Sequence, residues 1–141
     1  MAKINLDTDQ TLNFETDESC RTLRTNIILH GEEIKAIAIT STLPKEGKTS
    51  VAFNLAKSLA MVGKKTLFID GDLRKSTFKE QYEVDAETNG LGSLLSGKKE
   101  LADVVYTTNI DDLDIVLSDA PNNNSPELLD SNYFKELIPS V

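Results

Sequence analysis

The chain has 141 residues, 39% of them hydrophobic and 27% charged, with a net charge of -8, which suits one globular domain spanning residues 1–141. An acidic chain with no long basic run is a poor partner for nucleic acid phosphates, and the single cysteine, Cys20, excludes an internal disulfide and fits a reducing compartment. No apolar stretch approaches the roughly 18 residues of a membrane span, and no signal peptide opens the chain, so the expectation is a cytoplasmic protein that reaches a membrane only through a partner.

Residues 1–15 have weak periodicity and read as an extended arm. Thr16 or Asp17 is placed to cap a helix that runs to about His30, with Gly31 as its stop. Cys20, Leu23 and Ile27 share one face of it. Glu18, Arg21 and Arg24 fall at three-residue steps along a neighbouring ridge. On spacing alone that ridge is a solvated face with intrahelical ion pairs, each worth about 0.2–0.5 kcal/mol. The lone His30 at the helix end reads as a favourable dipole contact rather than a catalyst.

The apolar run from Ile34 leads to a first core strand over Lys35 to Ser41. A helix follows over Lys48 to Val62, with Val51, Leu55, Leu59 and Val62 as its buried face and Gly63 as its end. Between strand and helix lies Gly47-Lys48-Thr49. Strand, loop and helix with Gly-Lys-Thr at the helix entry is the setting that a phosphate-binding P-loop requires. The first glycine of the general pattern would fall at Thr42, so the match is partial. Read this way, Pro44, Lys45, Glu46, Gly47, Lys48, Thr49 and Ser50 cradle a nucleotide. Lys48 reaches the β- and γ-phosphates and the Thr49 hydroxyl ligates Mg²⁺.

Thr66 to Asp70 is a short apolar strand ending in an aspartate, and Asp72 and Arg74 continue it as Asp-x-Asp-x-Arg. Carboxylates at the carboxyl end of a strand suit Mg²⁺ or its waters. The two strands and the helix between them form a βαβ unit whose crossover should be right-handed. Ser76 to Tyr82 reads as a short helix, Asn89-Gly90 as a turn, and Gly90 to Leu95 as a helical segment ending near Gly97. Leu101 to Tyr106 is either helix or strand, Leu113 to Leu117 a strand, and Pro126 opens a helix through Leu137. Asp119, after Ile115-Val116-Leu117, imitates the aspartate of a Walker B strand, but a polar loop follows it, and the imitation is disfavoured. The fold class expected is α/β: a P-loop NTPase with a doubly wound, mostly parallel sheet.

Several stretches together resemble one family. Glu18-Ser-Cys-Arg21-Thr-Leu-Arg24 is similar to the E-x-x-R-x-x-R helix of bacterial tyrosine kinases, Pro44-Lys-Glu-Gly-Lys-Thr to their P-loop, and Leu67-Phe-Ile-Asp-Gly-Asp-Leu-Arg-Lys to their Walker A′ motif. Asn89-Gly-Leu, Leu94, Gly97, Pro126-Glu-Leu-Leu and Phe134-Lys-Glu-Leu resemble the stretches that follow. The chain is thereby identified as a member of the CpsD/CapB-type kinases of capsular and exopolysaccharide synthesis. The resemblance implies an autophosphorylating tyrosine kinase that uses Mg-ATP, acts on tyrosines in protein tails, forms a ring-type homo-oligomer and works with a membrane adaptor of the polysaccharide co-polymerase type. It implies that Lys48, Asp70 and Asp72 are catalytic, that Thr49, Asp70 and Asp72 serve the metal, and that Asp70 takes the proton of the incoming tyrosine hydroxyl. Under it Glu18, Arg21 and Arg24 join neighbouring subunits.

Two departures stand out. Lys45 occupies a position where the family usually has glycine. The family also continues to a Walker B strand and a tyrosine-rich tail, neither of which precedes Val141, so the kinase fold is expected to be incomplete at the C-terminus and the 141-residue chain inactive on tyrosine by itself. The competing readings are a partitioning- or positioning-type P-loop ATPase, disfavoured because Leu43 stands where such proteins carry a signature lysine, and a non-catalytic nucleotide-binding or regulatory module.

Overall fold

The computed structural model describes residues 2–7, 14–31, 33–84, 87–119 and 124–141. It falls into two compact units, one of residues 1–7, 67–109 and 114–141, the other of residues 8–66 and 110–113. Each is described by itself.

The first unit opens with strand β1 (Lys3–Ile4), so the arm expected over 1–15 contributes a short edge strand, while its stretch 8–13 lies outside the described residues. The second unit carries helix α1 (Phe14–His30), which starts before the expected cap at Thr16 or Asp17, and helix α2 (Lys48–Ala60). The first unit continues through strand β2 (Thr66–Ile69), helices α3 (Phe78–Gln81), α4 (Leu91–Leu95) and α5 (Leu101–Val104), strands β3 (Val105–Thr108) and β4 (Leu113–Val116), and helices α6 (Ser125–Leu129) and α7 (Asn132–Ser140). Leu101 to Tyr106 is therefore helix first and strand second, and the helix expected from Pro126 to Leu137 is two helices separated by a turn. At that turn Ser131 caps α7, accepting a hydrogen bond from the Phe134 N–H.

The four strands make one sheet in the order β1-β3-β4-β2. β1 runs parallel to β3, and β3 antiparallel to β4 with Tyr106 opposite Ile115. The bonds from Thr66 N–H to the Asp112 carbonyl and from Asp70 N–H to the Val116 carbonyl advance together along the chain, so β2 and β4 are parallel. The sheet is thus mostly parallel, as expected. Leu73, Leu91, Leu94, Leu95, Val104, Val116 and Leu137 close one buried core, with Leu67, Ile69 and Phe134 packed against it. A second contact set stacks Phe78 between Phe68 and Tyr82, with ring centroids 5.1 and 4.5 Å apart.

Three expectations require correction. The first core strand over Lys35 to Ser41 does not form: the segment pairs with no strand among the described residues, and Ile34 and Ile37 are 52% and 46% exposed. An apolar run becomes a strand only when a neighbouring strand supplies partners for its N–H and C=O groups. The βαβ crossover built on that strand is accordingly absent as a strand–helix–strand unit among the described residues. The buried face of α2 is also rotated from the expected one. Phe53, Leu55, Ala56, Ser58 and Ala60 are buried, whereas Val51 and Val62 are exposed. Helix α2 ends near Gly63, as expected: Gly63 adopts φ 76, and its N–H and that of Lys64 bond back to the carbonyls of Ala60 and Leu59.

Candidate functional site

One set of candidate residues belongs to α2. Gly47 is its N-cap in the left-handed conformation, φ 82 and ψ 14. A Cβ at Gly47 would meet nothing within 4 Å, so the glycine is required by backbone conformation and not by crowding. Lys45 has φ 62. The position at which the resemblance leads one to expect glycine is left-handed in this chain, and a lysine occupies it. Around the bend the Ser41 hydroxyl donates to the Leu43 carbonyl at 3.0 Å, and the Leu43 N–H donates to the Glu46 carboxylate at 3.1 Å. The loop is tied across itself while Pro44 to Gly47 stay exposed and Lys48, Thr49 and Ser50 half-buried at the helix entry. A helix N-terminus whose cap residue is a left-handed glycine, with a lysine and a threonine in its first turn, fits polyphosphate oxygens.

A second set of candidate residues follows β2. Asp70 is buried at 5% exposure. One carboxylate oxygen accepts from the Asp72 N–H at 3.1 Å, and the other accepts from the Ser76 hydroxyl. Burial pushes the Asp70 carboxyl above the usual carboxylate range; the Asp72 charge adds to this, while the hydrogen bonds from Ser76 and from the Asp72 and Ser118 backbones oppose it. Asp72 turns its carboxylate to the N–H groups of Arg74 and Lys75, at 3.2 and 3.0 Å, and its carbonyl accepts from the Ser118 hydroxyl at 2.8 Å. The Asp-Gly-Asp turn is thus held from several sides. Ser76 and Ser118 are residues that the sequence reading did not single out. Ser76 carried a local signal, since its hydroxyl also accepts from the Phe78 N–H at the start of α3; Ser118, remote in sequence, carried none.

No cluster of three or more His, Cys, Asp or Glu side chains able to hold a metal alone occurs among the described residues. Nucleotide-bound Mg²⁺ needs no such cluster, because it takes one or two protein oxygens and completes its shell with phosphates and water. Thr49 offers a hydroxyl, and Asp70 and Asp72 offer carboxylates, each an oxygen donor of the kind that Mg²⁺ takes.

Asp119 does other work. Its carboxylate accepts from the N–H groups of Gly92 and Ser93, at 3.0 and 3.1 Å, and from the Ser93 hydroxyl. It therefore caps the start of α4 from a distant part of the chain. Gly90 makes this approach feasible, since a Cβ there would lie 2.1 Å from the Asp119 carboxylate and 2.4 Å from the Leu117 carbonyl. The low weight given to a Walker B role agrees with this geometry; residues 120–123 of the loop that follows lie outside the described residues.

The ridge of α1 separates into three fates. Glu18 is exposed. Arg21 pairs with Asp17 at 2.9 Å on the surface. Arg24 leaves the ridge and donates to the Ser58 carbonyl and hydroxyl in α2, at 3.2 and 3.0 Å. The His30 ring contacts the Asn26 carbonyl at 2.9 Å, which suits a helix-end role.

Comparison with known proteins meets this geometry. A family model described as an AAA domain matches residues 34–138. Tyrosine-protein kinase CpsD of Streptococcus pneumoniae is 38% identical over 127 residues, 90% of this chain and 56% of the relative. Among solved structures, the kinase domain of Escherichia coli tyrosine kinase ETK superposes with a TM-score of 0.79 at 31% identity, over 88% of this chain and 49% of that one. The crystal structure of the chimerical protein CapA2B2 gives 0.78 at 36% identity, over 87% of this chain and 54% of that one. The chain spans about half the length of the curated relatives it matches. No helix among the described residues is long and apolar enough to cross a membrane. The chain belongs to the AAA-domain family and, within it, to the lineage of bacterial tyrosine kinases of the CpsD/CapB type.

Proposed function

We propose that the chain is the Mg-ATP-binding part of a protein-tyrosine kinase that acts in the control of capsular or exopolysaccharide synthesis, with residues 1–141 serving as one nucleotide-binding domain. The observation that carries the proposal is the left-handed bend through Lys45 and Gly47 into the N-terminus of α2, with Lys48 and Thr49 in its first turn. Pro44 to Ser50 surround the phosphates. Lys48 neutralises charge that develops on the transferred phosphoryl group, and Thr49 offers its hydroxyl to Mg²⁺. Asp70 and Asp72 serve the same ion through oxygens or its waters. Burial gives Asp70 a raised proton affinity, which suits acceptance of a proton from an incoming tyrosine hydroxyl. ATP and its Mg²⁺ supply the phosphoryl group; the chain's own residues bind, orient and hold the proton.

The sequence resemblance extends the proposal to partners: a ring of like subunits through Glu18, Arg21 and Arg24, tyrosine-containing tails as acceptors, and a membrane adaptor that recruits a cytoplasmic protein. The net charge of -8 speaks against nucleic acid. The test is incubation with labelled ATP, Mg²⁺ and a tyrosine-rich acceptor peptide, with and without the remaining half of a full-length relative supplied in trans. Phosphotyrosine lost on Asp70→Ala supports the proposal. Phosphotyrosine that persists in both Lys48→Met and Asp70→Ala overturns it.

A further inference from the structure

The chain has three tyrosines, and their surroundings differ. Tyr82 is 5% exposed, its ring tilted against Phe78 with centroids 4.5 Å apart. Tyr106 is 7% exposed, and its hydroxyl accepts from the Asn89 N–H at 2.9 Å and donates to the Asn89 carbonyl at 3.3 Å. Tyr133 is 54% exposed, and its hydroxyl has no hydrogen-bond partner among the described residues. A phosphoryl acceptor must bring its oxygen within about 3–3.5 Å of the reacting phosphorus. That requirement closes the reaction to a phenol packed inside a domain and leaves it open to Tyr133.

Tyr133 is the second residue of α7, just after the turn where Ser131 caps the helix. The helix is anchored from behind, with Leu137 in the buried core and Phe134 packed against it. The phenol hydroxyl stands over Gly97, where a Cβ would lie 2.9 Å from it. Gly97 also has φ 71, so glycine serves both the left-handed end of α4 and the clearance of the phenol. Lys98 and Lys99 follow directly, are exposed, and enter no ion pair among the described residues. Consecutive Cα atoms are about 3.8 Å apart, so an ammonium on its flexible four-carbon stem reaches the surroundings of the hydroxyl. Asp130, the nearest acidic residue before Tyr133 in the chain, is paired with Lys135 at 3.2 Å.

We propose that Tyr133 is a phosphorylation site: an active tyrosine kinase of this lineage, holding Mg-ATP, transfers the γ-phosphoryl group to its hydroxyl, and Lys98 and Lys99 receive the phosphate. This rests on the reading of the chain as part of a tyrosine kinase, and adds an acceptor inside the folded domain to the tails that the resemblance implies. In the step, Tyr133 Oη attacks the γ-phosphorus and the Oη–P bond forms. The bond from that phosphorus to the bridging oxygen breaks, and ADP leaves with the electron pair. The phenol proton passes to the carboxylate base of the kinase, the part proposed above for Asp70. A phosphotyrosine carries a charge of about −1.5 to −2 at neutral pH. Charge-assisted hydrogen bonds from the two lysines then tie the start of α7 to the end of α4.

The test supplies the kinase separately. Full-length tyrosine-protein kinase CpsD of Streptococcus pneumoniae, 38% identical to this chain, is incubated with Mg-ATP and the Lys48→Met chain as acceptor, with phosphorylation of CpsD itself as the activity control. Trypsin leaves Tyr106 and Tyr133 in one peptide, Glu100–Lys135, so fragment-ion mass spectrometry assigns the phosphate. The expected result is phosphate on Tyr133, lost in a Tyr133→Phe chain that melts as wild type does. Phosphate on Tyr82 or Tyr106 in place of Tyr133, or an unmodified chain beside a phosphorylated CpsD, overturns the proposal. The wild-type chain incubated alone separates this from the reading it rests on. If that chain labels nothing while CpsD labels Tyr133, the acceptor stands and the result counts against the chain's own transferase activity. Phosphorylation should also raise the melting temperature by about 2–4 °C in the wild-type chain and leave the Lys98→Ala/Lys99→Ala chain unmoved. Equal shifts in the two overturn the part given to the lysines.

Discussion

Residues 34–39 and Thr66–Ile69 are both short apolar runs that lead into a loop expected to touch nucleotide, yet only the second is a strand. Thr66–Ile69 is bracketed by bonds to the Asp112 and Val116 carbonyls, and Phe68 is buried against Phe78. Residues 34–39 have no strand beside them among the described residues, and Ile34 and Ile37 face solvent. The two loops inherit this difference. The Asp70 turn is tied by Ser76, by Ser118 and by its own backbone, whereas the Lys45–Gly47 bend is flanked by bonds across itself, from Ser41 to the Leu43 carbonyl and from the Leu43 N–H to Glu46. Hydrophobic composition nominates a strand, and a partner makes it one.

The comparison breaks most visibly under truncation of core isoleucine. Ile115→Ala, at a fully buried position of β4, should cost about 2–5 kcal/mol, read as a lower urea midpoint; Ile37→Ala should stay within about 0.5 kcal/mol of wild type. A cost at Ile37 comparable to that at Ile115 would mean that the segment is packed in solution. Next in size is Gly47→Ala. Its added methyl meets no atom within 4 Å, so the cost is that of a left-handed alanine, about 1–2 kcal/mol. The same logic at Lys45, with φ 62, predicts that Lys45→Gly is neutral or stabilising by thermal melting; a clear loss would show that the lysine side chain holds the loop.

Asp119→Ala removes a distant cap and should cost about 1 kcal/mol while leaving Mg-ADP affinity as it was. A lost nucleotide signal with an intact fold would assign Asp119 to the metal after all. The smallest effect belongs to Arg21→Ala. Its pair with Asp17 is exposed on both sides, so thermal stability should change by about 0.3–0.5 kcal/mol.

Much of the fold was legible because its signals are local. Gly63 and Gly97 mark helix ends through positive φ, Ser131 and Pro126 mark helix starts, and the apolar run Ile115-Val116-Leu117 marks a buried strand. The Gly47-Lys48-Thr49 entry was legible for the same reason. What was not legible depends on residues far apart in the chain. The polar loop after Asp119 disfavours a Walker B role, but its place at the start of α4 shows only once Gly90 is seen to admit it. Arg24 reads as one step of a surface ridge until Ser58 is found within reach, and the face of α2 is set by what it packs against and not by its own periodicity. Asp70 lies between these cases: its residue type and place on the strand were readable, while its burial and the Ser76 bond were not.

The claim at the centre of this account is that the head of α2 is a nucleotide site. Titration calorimetry with Mg-ADP on wild type and Lys48→Met tests it most directly. The account predicts saturable binding by wild type and at least tenfold weaker binding by Lys48→Met, with equal melting temperatures for the two proteins in the absence of nucleotide. Equal affinities, or no binding by a folded wild type, would contradict it.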